Sequence, residues 1–179
     1  KAGIAEIIAA AQILIENPDI RHGTIKLLFT TDEEIGRGVD KVDLKKLGAD
    51  VAYTLDGSTA GQLEIETFSA DRVDITVTGV SIHPGFAFGK MENAIKIASG
   101  IVARLPKELA PDTTKDRDGF LHPTDISGSM ERATISLIVR DFEDAGLVEK
   151  EKMLEGIVQE VMRDYPGSSY TFAVTEQYR

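Results

Sequence analysis

The feature that most restricts the fold is a change of grammar in mid-chain. From Lys1 to about Phe68 helical stretches alternate with short apolar strands, and from about Ala70 the order becomes strand, helix, two strands, helix, strand. Alternation of the first kind builds a layered α/β sheet, whereas the second order builds a small α+β sandwich. In the first region the pattern predicts a helix from Lys1, a strand from Thr24 to Thr30, a short helix from Val42 to Leu47, and strands from Val51 to Leu55 and Gln62 to Phe68. In the second it predicts strands from Arg72 to Thr78, Ser127 to Met130, Thr134 to Phe142 and Ser169 to Val174, with helices from Met91 to Ala103 and Leu147 to Tyr165. Val73, Ile75 and Val77 alternate with polar residues, as do Ile135, Leu137 and Val139, so these are expected to form the buried side of an antiparallel sheet with helices on one face. The charged, turn-rich stretch from Pro106 to Pro123 reads as a surface loop. The expected fold class is therefore α/β, with part of a layered domain over 1–69 and an α+β sandwich over 70–179.

At 179 residues, 42% hydrophobic and 28% charged, the chain is long enough to bury a core. Its net charge of −10, from 30 acids against 20 basic residues, opposes a nucleic-acid surface, which needs a concentrated positive face. With no cysteine, disulfides and thiolate metal sites are excluded, and any metal must be held by carboxylates and by the three histidines His22, His83 and His122. No apolar run approaches the roughly 20 residues of a membrane helix, and a cytoplasmic location is expected. The helix that begins at once at Lys1 and the strand that ends just before Arg179 both read as internal segments of something longer.

Chemistry concentrates where predicted strands end. Thr24 to Thr30 gives way to Thr31-Asp32-Glu33-Glu34-Ile35-Gly36-Arg37-Gly38, and Val51 to Leu55 ends in Asp56-Gly57. Open α/β sheets bind ligands beyond the carboxyl ends of their strands, and adjacent acids there suit a general base beside a ligand for a divalent ion such as zinc. Taken alone, the Thr-Asp-Glu-Glu run serves equally as a helix N-terminus, with Thr31 or Asp32 as cap and acids facing the dipole. His83 lies in a His-Pro-Gly turn after a strand, where an exposed imidazole is also unremarkable. Arg140 falls on the solvent side of its strand and could pair with Asp141 or another acid. Asn93, at a helix start, reads first as a cap, and His22 and His122, in turn contexts, read as structural.

Three motifs in one order, Phe29 to Gly38, Tyr53-Thr54-Leu55-Asp56-Gly57 and His83-Pro84-Gly85, resemble the M20 family of di-zinc metallopeptidases, and most closely its tripeptide aminopeptidases. The resemblance runs through essentially the whole chain, and the change of grammar near Ala70 falls where that family inserts its lid, or dimerisation, domain. It implies that Glu33 is the general base, that Glu34 and Asp56 are ligands to different zinc ions, that His83 helps polarise the carbonyl or stabilise the oxyanion, and that Arg140 binds the peptide's terminal carboxylate. It implies two zinc ions per complete site, with the family's His-x-Asp motif, bridging aspartate and late histidine outside this chain. A short peptide is then the substrate and a homodimer through the lid the expected assembly. Two other readings remain open here: an M20 carboxypeptidase or N-acyl amino acid amidohydrolase, and a non-catalytic association module.

Overall fold

The computed structural model describes residues 1–57 and 59–179 and divides into two compact units, Lys1–Leu63 and Glu64–Arg179. The first unit carries helix α1 (Ala2–Glu16) and the short helix α2 (Leu44–Leu47), the latter capped by Asp43, whose side chain accepts from the Lys46 N–H. None of its described residues is buried, and Phe29 and Tyr53 stay exposed. The segments Thr24 to Thr30, Val51 to Leu55 and Gln62 to Phe68 differ from expectation, since none forms a strand. A strand exists only through a ladder of backbone hydrogen bonds to a neighbouring strand, and these segments belong to no strand of the described residues.

The second unit is a four-stranded antiparallel sheet among the described residues, built from β1 (Ser69–Thr78), β2 (Phe120–Gly128), β3 (Arg132–Asp141) and β4 (Ser169–Tyr178) in the order β2-β3-β1-β4. Two helices, α3 (Ala94–Ala103) and α4 (Asp144–Met162), pack on one face. Period-two alternation sends Val73, Ile75 and Val77 of β1 and Ile135, Leu137 and Val139 of β3 to that face, where all six are buried. The helices answer with Ala94, Ile97, Ala98 and Ile101 from α3 and Leu147, Leu154, Val158 and Val161 from α4, the three- and four-residue spacing of an apolar stripe. Each fully buried Val, Ile or Leu among them contributes roughly 1.5–3 kcal/mol through area removed from water. The opposite face is polar, with Arg72 bridging Asp74 at 2.8 Å and Ser136 Oγ donating to Asp74 Oδ1 at 2.6 Å.

Strand β2 begins earlier than its composition suggests and takes in Pro123. As an edge strand it can place a residue without an N–H, and its register slips between Pro123 and Asp125. No helix among the described residues is long and apolar enough to cross a membrane.

Candidate active site

Glu33 and Glu34 open a single 3-10 turn, Glu33–Ile35, at the end of the segment that follows Thr24. Neither Thr31 nor Asp32 caps this turn through its side chain; the Thr31 hydroxyl donates to Asp32 Oδ2 at 3.2 Å instead. Asp32 holds a left-handed conformation with φ 64°, and Gly36 closes the turn with φ 71°. Aspartate tolerates that region better than most residues, and the two reversals confine the carboxylates to a tight, exposed protrusion. Asp56 is also exposed, after Val51 to Leu55. Close by in sequence, Thr30 and Thr31 line an open recess of about 680 Å³ with Lys41 and Asp43, but neither Glu33 nor Glu34 lines it.

A catalytic zinc takes three protein ligands and keeps one position open. Among the described residues no group of three or more His, Asp or Glu side chains converges as a metal site. Among the described residues, Glu34 and Asp56 do not by themselves make such a centre.

His83 and Arg140 belong to the second unit. His83 precedes a 3-10 turn, Pro84–Phe86, and its Nδ1 accepts from the Gly85 N–H at 3.1 Å. A neutral imidazole that accepts at Nδ1 must carry its proton at Nε2, so the outward nitrogen is a donor. The base of this loop is pinned. Val80 and Glu92 exchange backbone hydrogen bonds of 2.8 and 3.0 Å, and Glu92 also accepts from the Gly167 N–H at 3.0 Å and from Ser168 Oγ at 2.5 Å. Gly79 is required there because an added Cβ would lie 2.3 Å from the Glu92 carbonyl oxygen. Asn93 caps α3, accepting from the Ile95 N–H at 2.9 Å and the Lys96 N–H at 3.4 Å.

Arg140 sits on β3 opposite Ala70 of β1 and Phe120 of β2, on the face away from the helices. It is half-buried; Nη1 donates to the carbonyls of Val139 at 3.0 Å and Asp71 at 3.3 Å, and the guanidinium carbon lies 5.6 Å from the Tyr178 ring centroid. Asp141 points to the other face and pairs with Lys150. Among the described residues no carboxylate forms an ion pair with Arg140, which leaves part of a planar fork for an incoming carboxylate. His22 Nδ1 donates to the Gly23 carbonyl at 2.7 Å, a local turn contact.

A polar cluster that the sequence reading missed lies under the N-terminal half of α4. Asp71, 2% exposed, receives two hydrogen bonds from Arg179 at 2.8 and 3.0 Å, and Glu151 faces it from α4. Burial, and then the hydrogen bond and charge of Asp71, push the Glu151 carboxyl up to about 7, with Arg179 opposing. Nearby, burial opposes ionisation of Asp141, but the hydrogen bond from Lys150 and the Glu143 N–H hold its carboxyl below the ordinary range. The available signal was Asp71 itself, an acid at an inward position of an alternating strand.

Comparison with known proteins places this architecture. The model of the peptidase dimerisation domain of the M20 group matches residues 65–167. Peptidase T of Clostridium perfringens strain ATCC 13124 is 42% identical over 178 residues, covering 99% of this chain and 44% of that protein. Peptidase T of Clostridium botulinum strain Hall is 41% identical over the same shares. The crystal structure of aminopeptidase PepT from Bacillus cereus ATCC 10987 shares the fold with a TM-score of 0.78 at 22% identity, covering 99% of this chain and 48% of that one. That of a tripeptidase from Staphylococcus aureus subsp. aureus Mu50 does so with a TM-score of 0.80 at 19% identity and the same coverage. The chain spans less than half the length of the curated relatives it matches.

Proposed function

Because the chain belongs to the M20 peptidases and carries their dimerisation domain, we propose that it is part of a metal-dependent aminopeptidase that releases the N-terminal residue of tripeptides. The observation that carries this reading is 42% identity to a Peptidase T sustained over 99% of the chain, across both units. Residues 1–69 then contribute to the catalytic domain and 70–179 form the lid with the start of the return to the catalytic domain, with a homodimer through the lid and a cytoplasmic location as the expected setting.

In this reading Glu33 accepts the proton of the attacking water and returns it to the leaving amine. Glu34 and Asp56 supply oxygen donors to two zinc ions, together with donors from the rest of the protein; such ions, when bound, polarise the carbonyl and lower the pKa of water. His83 offers its Nε2–H to the carbonyl oxygen as negative charge develops there, a donor role for which the Gly85 hydrogen bond sets the tautomer. Arg140 receives the terminal carboxylate of the peptide, which would restrict the enzyme to short substrates.

The test is tripeptide hydrolysis by the full-length protein with zinc, comparing wild type with Glu33→Gln and quantifying bound metal in both. Loss of about 10²–10⁴-fold in kcat with metal retained is the expected result. Near-normal turnover in the variant would refute the role given to Glu33.

A further inference from the structure

We infer that Tyr178 is a positioning residue for substrate recognition: its ring holds the Arg140 guanidinium in the plane in which it receives the terminal carboxylate of the peptide. This deepens the aminopeptidase reading and rests on the role given there to Arg140.

One row across the sheet brings the two side chains together. Arg140 of β3 and Tyr178 of β4 both pair with Ala70 of β1, one from each side. Directly opposed residues of antiparallel strands share a face, so all three lie away from the helices. Ala70 puts only a methyl group between its neighbours, and above it the guanidinium carbon lies 5.6 Å from the Tyr178 ring centroid.

Regular alternation would not place Tyr178 there. Asp71 pairs with Glu176 and Ala70 with Tyr178, so β4 carries one extra residue, Gln177, at this point. Without that bulge Gln177 would oppose Ala70, and Tyr178 would share the helix-side face of Asp71. Bulges re-aim side chains in this way, and this one turns the ring towards Arg140.

Arg140 benefits from a support of this kind. Its Nη1 is spent on the carbonyls of Val139 and Asp71, which anchor one nitrogen and leave the plane of the group to be fixed by something else. Bidentate carboxylate binding depends on that plane. A carboxylate partner could also fix it, but would compete with the substrate for the same N–H groups. An aromatic ring within about 6 Å attracts the cation through its quadrupole and leaves the charge and the remaining donors available.

The test uses the full-length protein, wild type against Tyr178→Leu and Tyr178→Phe, with trialanine and trialanine amide as substrates. Tyr178 is 46% exposed, and turnover of the amide reports that each variant is folded. The expected result is that Tyr178→Leu loses about three- to tenfold of the kcat/KM preference for the free acid, through KM, while Tyr178→Phe keeps it. An unchanged preference in Tyr178→Leu overturns the inference and leaves the role of Arg140 standing. Equal losses on acid and amide also overturn it, since a general loosening of β4 would act on both. A loss in Tyr178→Phe as large as in Tyr178→Leu overturns it in favour of the hydroxyl. A wild-type enzyme that cleaves the amide as well as the acid sinks the Arg140 assignment and this inference with it.

Discussion

Glu151→Gln should remove a pH-dependent cost that the second unit carries above neutrality. The Glu151 carboxyl is pushed up to about 7 from its ordinary 4.5, first by burial and then by Asp71, and its Oε1 is buried without a hydrogen-bond partner among the described residues. Between these two values the native state holds a proton that the unfolded state has released. The cost of ionising Glu151 is therefore absent below about pH 4.5, grows as pH rises, and is complete above about 7. A gap of about 2.5 pH units corresponds to about 3.4 kcal/mol at 1.36 kcal/mol per unit. Solvent reaches the outer part of this half-buried side chain and Arg179 offsets part of the charge, which reduces the figure to about 1–2 kcal/mol. Glutamine keeps the size and can donate to Asp71 as the protonated acid does, but it does not titrate. Urea unfolding of the sheet, followed by circular dichroism, should give similar midpoints for wild type and variant at pH 4.5. At pH 8 the variant midpoint should lie about 0.5–1 M higher, for a slope of about 2 kcal/mol/M. Parallel stability curves across this range would refute the argument that Glu151 is ionised at a cost in the native state.

Asp141→Asn should destabilise the second unit by about 2–4 kcal/mol at pH 7, because it leaves Lys150, 13% exposed, without its anionic partner. Since the Asp141 pKa is depressed below its ordinary 3.8, the wild-type advantage should be present above 3.8 and disappear as pH falls below it, which acid titration of urea midpoints would show. Residues 64–179 alone should unfold cooperatively with dispersed amide resonances, since the whole buried core lies there, whereas residues 1–63, with no buried residue described, should not.

The second unit was legible because its signals are periodic and local. Val73, Ile75 and Val77 against Ile135, Leu137 and Val139 announce one buried face, and all six are buried in the sheet. The start of β2 was not legible, because Phe120 to Pro123 closes a turn-rich stretch and proline argues against a strand. Only the position of β2 at the sheet edge, a property of the topology, makes that proline acceptable. In the first unit the reverse occurs: Thr24 to Thr30 and Val51 to Leu55 have strand composition, but a ladder requires a partner that local pattern does not supply.

The same distinction governs the site. Residue type and chain position identify Glu33 and Glu34 as adjacent acids at a reversal, and the structure adds that neither Thr31 nor Asp32 caps the turn. The His-Pro-Gly motif names His83, but only the hydrogen bond from Gly85 fixes which ring nitrogen donates. Strand parity sends Arg140 away from the helices, yet whether its fork is free depends on Asp141 choosing Lys150, from the helix on the opposite face. Asp71 carries its signal in the alternation of β1, but Glu151 and Arg179 reach it through packing, so no local pattern could reveal them. Adjacent acids such as Glu33 and Glu34 can be read from order alone. Acids brought together by packing, such as Asp71 and Glu151, cannot, because the desolvation that raises Glu151 exists only once α4 lies over β1.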